Sequence, residues 1–403
     1  MTNTSRRTVS PPGIRRGDAV LAFVAVAALA INLRTAPSSV APIVTWIDVD
    51  IPLSPTTLGL LGMLPPIMFA LAGLVLAPWI APRGAGLAAG ALVLAMAGSA
   101  LRAVGGDLVT LAAGGALALL GMGIGNVLLP ALVKRHLPHR IGAATALYTS
   151  LLGVSAMLPP LVEPVVAAEA GWRLAMGLWA VLPVACLTPV VLLAVRGGAR
   201  SETRRDACRM PRWRPDARAC ALAGLFGVSS TIGYTSFAWI PVMVREQFGV
   251  DEVQAALMLS LFAGLGIPVA LAVPWLVAPR IRLSGPVAIL AAGSAVVGYA
   301  LLTAGMPAGV PLVGVTLVGL GQGLFSLCLT LVGVLGRDPA ETARLSGFMQ
   351  GVGYLAAAAL AFALGALRSL SGGWILGGGM MVLVCGLGVV SGWALARILR
   401  RAL

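Results

Sequence analysis

Asn32-Leu33-Arg34 sits in the middle of the chain's first hydrophobic run, which begins near Ala19 and continues to about Ile47. A run of that length can cross a bilayer. Arg34 then falls close to the centre of the crossing, away from the edges where a long side chain reaches the headgroups. A guanidinium there costs at least ~2.5–3.5 kcal/mol on insertion scales, so such a residue faces a polar cavity, a partner or a ligand. No Asp or Glu lies within four residues of Arg34, so its partner comes from another helix, from water or from a solute. Arg34 either holds two spans together through helix carbonyls or provides a fixed positive charge lining a substrate cavity.

The rest of the chain has the same character. Of its 403 residues, 59% are hydrophobic and only 10% charged, against about 25% charged in soluble domains; the mean hydropathy is +0.96. This is the composition of a polytopic membrane protein. The 51 glycines suit helices packed closely through small-residue faces. Cys186, Cys208, Cys220, Cys328 and Cys385 show no paired or metal-ligand spacing, and Cys186, Cys328 and Cys385 fall inside apolar runs as small packing residues. Roughly the first 18 residues are polar and lack a signal-cleavage pattern, so the first apolar run is expected to be a retained span.

Apolar runs of suitable length predict twelve spans. In the first half they cover 19–46, 56–80, 84–103, 108–133, 141–167 and 173–195. In the second half they cover 218–244, 253–278, 284–304, 309–335, 342–367 and 374–396. With the N-terminus inside, 23 of the 28 basic residues collect on the cytoplasmic face. Only Arg102, Arg173, Arg245 and Arg368 are left for the outer face, and Arg34 for the bilayer. That asymmetry predicts two cytoplasmic termini in a bacterial inner membrane and explains the net charge of +14 without a nucleic-acid partner.

The polar stretch 196–217 divides the chain into a bundle at 19–195 and another at 218–397, with cytoplasmic tails at 1–18 and 398–403. An internal repeat supports the division. Pro78-Trp79-Ile80-Ala81-Pro82-Arg83 closes the second span, and Pro274-Trp275-Leu276-Val277-Ala278-Pro279-Arg280 closes the eighth. Gly121, Gly123 and Gly125 recur as Gly319, Gly321 and Gly323, and Gly171-Trp172 recurs as Gly373-Trp374. Offsets of about 200 residues suit two parallel six-helix repeats around a central cavity. The expected fold is an all-α membrane protein of twelve transmembrane helices in two pseudo-symmetric bundles.

Few polar residues interrupt the spans. Asn126, beside the glycine run of the fourth span, either bonds across a helix contact or points to the cavity. Tyr148, Thr149 and Tyr234 offer hydroxyls, and Trp239 before Pro241 offers either a stacking face or an interfacial anchor. Gln322 with Ser326, and Gln350 with Tyr354, are spaced one turn apart on their helices. Such pairs either face inward or bond between helices. Glu163 is the one acid placed within a span, toward its outer end, where it is a weak candidate for proton coupling because an acid there can simply be hydrated. His136 and His139 belong to a basic loop. No phosphate-binding loop, nucleophile–base set or metal-ligand cluster stands out, so neither ATP nor a cofactor is implied.

Several stretches together resemble one family. They are Asn32-Leu33-Arg34 with Ser39 to Pro42, Gly125 to Arg135, Ala146-Leu147-Tyr148-Thr149, Ala238-Trp239-Ile240-Pro241, and Ser346 to Gln350 with Gly353-Tyr354. The chain resembles the cyanate/2-nitroimidazole transporter family (CynX/NimT) of the major facilitator superfamily across essentially all twelve expected spans. The resemblance implies two six-helix bundles, alternating access to a central site, and small substrates that are anionic or neutral heteroaromatic. The superfamily's charged loop between spans 2 and 3 is reduced here to Ala81-Pro82-Arg83-Gly84.

An anion would use Arg34, whose guanidinium combines charge with directed donors. A flat heteroaromatic would use Trp239, Tyr148 or Tyr234 for stacking and Gln322 or Asn126 for its polar edge. The expected function is secondary transport of a small solute, with Arg34, Asn32, Asn126, Tyr148, Tyr234, Trp239, Gln322, Gln350 and Tyr354 as substrate-site candidates. A broad drug exporter and, remotely, a membrane-embedded enzyme are the alternatives. The expected partners are a small molecule and membrane lipids. Each pair of halves encloses its own cavity, so a monomer suffices.

Overall fold

The computed structural model describes residues 16–53, 55–76, 84–198, 215–305 and 310–402. The tail ahead of residue 16, the Pro78–Arg83 motif, most of the polar stretch 196–217 with Cys208, and Leu403 lie outside the described residues.

Fourteen α-helices are assigned among these residues. They are α1 Arg16–Ala30, α2 Val44–Asp50, α3 Pro55–Leu71, α4 Gly84–Val104, α5 Leu108–His136, α6 Ile141–Ala170 and α7 Trp172–Gly198, followed by α8 Ala217–Phe248, α9 Glu252–Val277, α10 Ser284–Ala304, α11 Val310–Leu320, α12 Gly323–Leu335, α13 Pro339–Ser371 and α14 Ile375–Ala402. Asp107, Asp216, Asp251 and Asp338 open their helices by accepting a backbone N–H with the side chain. Ten membrane-length apolar segments are described, one of which, Pro311–Leu335, is made of α11 and α12 together. Two shorter ones, Gly17–Ala30 and Leu60–Val75, stand where the first two spans are expected.

Two expected spans are interrupted. The first is not one helix over 19–46: α1 stops at Ala30, and the chain passes through short 3-10 turns at Ala36–Ser38 and Ala41–Ile43 before α2 begins. Pro37 and Pro42 lack the N–H a continuing helix needs. Inside a membrane the released backbone groups need partners, and side chains supply them. Asn32 Nδ2 donates to Ala28 O at 2.7 Å, Ser38 Oγ donates to Arg34 O at 2.7 Å, and Arg34 N donates to Ser155 Oγ at 3.0 Å. The expected tenth span breaks between α11 and α12, where Gly321 and Gln322 turn through i to i−3 bonds of 3.0 and 3.1 Å.

Packing repeats across the halves. A Cβ on Gly98 would strike Gly114 O and the Ala118 backbone between α4 and α5, and one on Gly298 would strike Gly314 O and Val318 between α10 and α11. Gly121 abuts Ala91 and Ala95, and its counterpart is Gly321 against Ala291 and Ala295, two residues on from the expected Gly319, which meets Leu265 instead. The Gly-Trp motifs recur in three dimensions as well. Trp172 Nε1 donates to Asp50 Oδ2 at 3.0 Å beside Arg173, and Trp374 Nε1 donates to Glu246 Oε2 at 2.9 Å beside Arg368. Each arginine also lies over its tryptophan ring, at 4.4 and 5.4 Å from the ring centroid.

Arg102 corrects the expected charge distribution. It is 2% exposed, inside the protein, because α4 carries it under the turn that follows Arg34.

Candidate functional site

Arg34 lies in the interruption between α1 and α2, and its guanidinium reaches the other half of the chain. Nη1 donates to the Tyr234 hydroxyl on α8 at 2.8 Å, and Nη2 donates to the Tyr354 hydroxyl on α13 at 3.3 Å. Its Cζ stands 5.0 Å from the Phe325 ring centroid, 5.4 Å from that of Phe69 and 5.8 Å from that of Tyr234. The charge is therefore held by two hydroxyls and three aromatic faces. Among the described residues, no carboxylate is bonded to it.

Behind Tyr354 the hydrogen bonds continue across the two halves. Asn126 Nδ2 on α5 donates to Tyr354 at 2.7 Å and to Gln350 Oε1 at 2.9 Å. Gln350 Nε2 in turn donates to Ser346 Oγ at 2.6 Å. Asn126, Ser346 and Gln350 are buried and stand outside the wall that Arg34, Tyr234 and Tyr354 help to form. Of the two expected readings of Asn126, the structure shows the bond across helices: it reaches a residue of the cavity wall but does not line the cavity itself.

Arg34, Tyr234, Tyr354, Gln322 and Ser326 line one cavity with Ser38, Thr149, Phe237 and Phe325. Gln322 sits at the α11–α12 break and donates from Nε2 to Phe262 O. The hydroxyls of Ser229, Ser230 and Ser326 in the same wall have no protein partner. The cavity has a volume of about 80 Å³, room for several waters at about 10–15 Å³ each. A solute of a few heavy atoms fits.

Five expected site residues lie off the cavity wall: Asn126 and Gln350, bonded behind Tyr354, and three others. Asn32 is fully buried and turns its amide back to cap α1. Tyr148 is 1% exposed in the core, with its hydroxyl unpartnered, while its neighbour Thr149 takes the place on the wall. Trp239 stacks edge-on against Trp374 at 5.9 Å in a separate small pocket with Tyr299. Glu163 is 0% exposed and so is not a hydrated outer-end acid, because Trp179 and the Arg102 side chain cover it. Phe69, Phe325 and Ser155 were not candidates: an apolar ring in an apolar run carries no signal of its own.

Toward the face that carries Lys134, the two halves are in contact. Lys134 Nζ donates to Gly333 O at 3.3 Å. A Cβ on Gly73 would lie 2.7 Å from Gly347 O and 2.8 Å from Gly351 N, so α13 meets the segment after α3 backbone to backbone.

Comparison with known proteins agrees with this architecture. Residues 20–361 match the family model of the Major Facilitator Superfamily. The chain is 30% identical over 357 residues to YycB, an uncharacterized transporter of Bacillus subtilis, covering 86% of each chain. It is 29% identical over 372 residues to the 2-nitroimidazole transporter of Escherichia coli, covering 88% of this chain and 90% of that one. It is also 26% identical over 354 residues to the cyanate transport protein CynX of Escherichia coli, covering 86% and 90%. Among solved structures, the human organic anion transporter MFSD10 (TETRAN) superposes with a TM-score of 0.69 at 14% identity, over 96% of this chain and all of that one. The chain is a transporter of the Major Facilitator Superfamily, and not an enzyme.

Proposed function

We propose that this protein moves a small monoanion across the bacterial inner membrane by alternating access, with both termini cytoplasmic. The observation that carries the proposal is Arg34, a guanidinium on the cavity wall bonded to neutral hydroxyls at 2.8 and 3.3 Å rather than to a carboxylate. Its charge remains available to a solute, and a partly buried cation is a strong partner for a desolvated anion. Ser229, Ser230, Ser326 and Gln322 add polar side chains to the lining of the same cavity. The bond between Arg34 and the two tyrosines links the halves that must rock, so an anion that competes for the guanidinium also acts on the contact between them.

A flat heteroaromatic is the second reading, favoured by Phe237, Phe325 and Tyr234 in the same wall and by the 2-nitroimidazole transporter among the relatives.

Thermal stabilisation of the purified protein against sodium cyanate and 2-nitroimidazole tests the choice, with Arg34→Ala alongside. Stabilisation follows RT ln(1 + [L]/Kd), so weak ligands register at high concentration. A cyanate shift that Arg34→Ala abolishes supports the anion reading. A 2-nitroimidazole shift that survives in the variant, with none from cyanate, replaces it with the heteroaromatic one.

A further inference from the structure

A second group of polar side chains is buried apart from the cavity wall. Glu163 on α6 is 0% exposed and Arg102 in the last turn of α4 is 2% exposed. Glu163 Oε1 accepts from Trp179 Nε1 at 2.5 Å, while Oε2 has no partner. Arg102 donates from Nη1 to Ala36 O at 3.5 Å, and its Nε and Nη2 bond nothing. Ser39, also 0% exposed, lies beside Glu163 with its hydroxyl close enough to lend the carboxyl weak hydrogen-bonding support. Arg102 and Glu163 sense each other's charge without a hydrogen bond between them. Two opposite charges buried and not closed on each other stabilise a fold poorly, and ionisable groups at membrane depth are usually functional.

This group grips the segment that carries the solute-site arginine. Arg102 holds Ala36 O, and Ser39 lies beside Glu163, so they bracket the turn Ala36–Ser38 that begins two residues after Arg34. Glu163 also shares α6 with Ser155, which accepts from Arg34 N at 3.0 Å. Eight residues separate Glu163 from Ser155, about 12 Å along the helix.

We propose that Glu163 Oε2 is a proton-binding site coupled to the solute at Arg34, so that one proton travels with each monoanion. The proposal rests on the reading of Arg34 as an anion anchor. In the unloaded protein Arg34 carries one positive charge, and Arg102 and Glu163 cancel. A proton on Oε2 leaves Arg102 uncompensated, and a monoanion at Arg34 restores the original total. Loading both leaves the buried charge unchanged, whereas loading either alone alters it by one unit, so each ligand favours the other reciprocally. The proton arrives from the outer solution and leaves from Oε2 to the cytoplasm after the halves rock. Among the described residues, Arg102 is the charged group facing Glu163; Trp179 on α7 and Ser39 are neutral.

Two measurements on the full-length protein in liposomes test this. Infrared difference spectra between about pH 5 and about pH 9 require no solute. Wild type is expected to show a protonated-carboxyl band that Glu163→Gln lacks. No titrating band, or the same band in the variant, overturns the proposal even if cyanate proves not to be a substrate. The second measurement follows labelled cyanate with the outside one pH unit more acidic than the interior, against protein-free liposomes. One proton per anion supports accumulation up to about tenfold, while Glu163→Gln is expected to exchange cyanate without accumulating it. Accumulation by Glu163→Gln, or exchange in wild type without gradient-driven accumulation, overturns the coupling. If Glu163→Gln does not fold, Glu163→Asp keeps a carboxyl displaced by one methylene, and an unchanged pH dependence of accumulation has the same force.

Discussion

Replacing Asn126 by leucine asks whether the two halves are latched where the solute binds. Asn126 is 2% exposed and donates to Gln350 at 2.9 Å and to Tyr354 at 2.7 Å, both on α13. Leucine is similar in size and removes both bonds. Hydrogen bonds between helices inside membranes average ~0.6 kcal/mol and reach ~1.7 kcal/mol. Two of them predict a loss of about 1–3 kcal/mol, or about 5- to 150-fold in the ratio of latched to separated halves. Part of any single-variant effect comes from the Gln350 oxygen left without a donor, so the informative quantity is a double-mutant cycle of Asn126→Leu with Gln350→Leu. The bond from Gln350 to Ser346 is lost in both arms that lack Gln350 and cancels. Unfolding midpoints in detergent are expected to give a coupling of about 0.5–1.7 kcal/mol. Additive effects would refute the reasoning, since the two side chains would then contribute independently of the contact between them.

Arg34→Lys keeps the charge but loses the planar pair of donors a guanidinium offers an anion; losing one charge-assisted bond of about 1.5–3 kcal/mol weakens cyanate binding about 10- to 150-fold. Thermal stabilisation measures it, and equal affinity would reduce Arg34 to a point charge. Gly73→Leu places side-chain atoms where Gly347 O and Gly351 N now stand, 2.7 and 2.8 Å from a Cβ. Solute counterflow is expected to collapse while the protein still reaches the membrane, and normal counterflow would show that this face need not close. Asp50 is held below the usual carboxylate range, first by its bond from Arg173 and then by that from Trp172. Its stabilising effect is therefore present above the unfolded carboxylate value near about 4 and lost as pH falls through the lower folded value. Asp50→Asn should lower the unfolding midpoint at neutral pH and converge with wild type in acid; a gap that persists at about pH 2 contradicts the assignment.

The repeat was readable because close packing leaves a mark on composition. Gly121 and Gly321 sit at equivalent helix crossings, and Trp172 and Trp374 bond equivalent acids, so residue identity was constrained twice at nearly the same offset. The polar census also found Arg34, Tyr234, Gln322 and Tyr354, since a polar group in an apolar run is costly enough to stand out. Other residues were hidden for the converse reason. Phe69 and Phe325 flank Arg34 within 5.4 Å, yet they look like any lipid-facing phenylalanine in sequence. Arg102 lies near Gly105 and Gly106, where hydropathy ends a span, and only the packing of α4 against the turn after Arg34 draws it inside. Trp239 and Tyr148 carry suitable chemistry, but helix rotation decides which neighbour faces the cavity, and Thr149 and Tyr234 hold those places.

The two interrupted spans identify the site by a route independent of polar side chains. Irregular backbone is tolerated at membrane depth only where protein buries it or a cavity solvates it. The first break puts Arg34 and Ser38 on the cavity wall, and the second puts Gln322 there from the other half. Hydropathy could not see either break, because Ala36, Val40 and Ile43 keep the first run apolar and Gly319 to Gly323 keep the second small. The visible signals were Pro37 and Pro42 in one run and paired glycines around Gln322 in the other. Broken helices facing each other across a repeat interface are a recurrent way to present backbone and side-chain groups to a transported solute. The first break also carries Ala36 and Ser39 to Arg102 and Glu163. The same short segment therefore touches the cavity on one side and the buried carboxylate on the other, the physical connection that coupled binding of an anion and a proton requires.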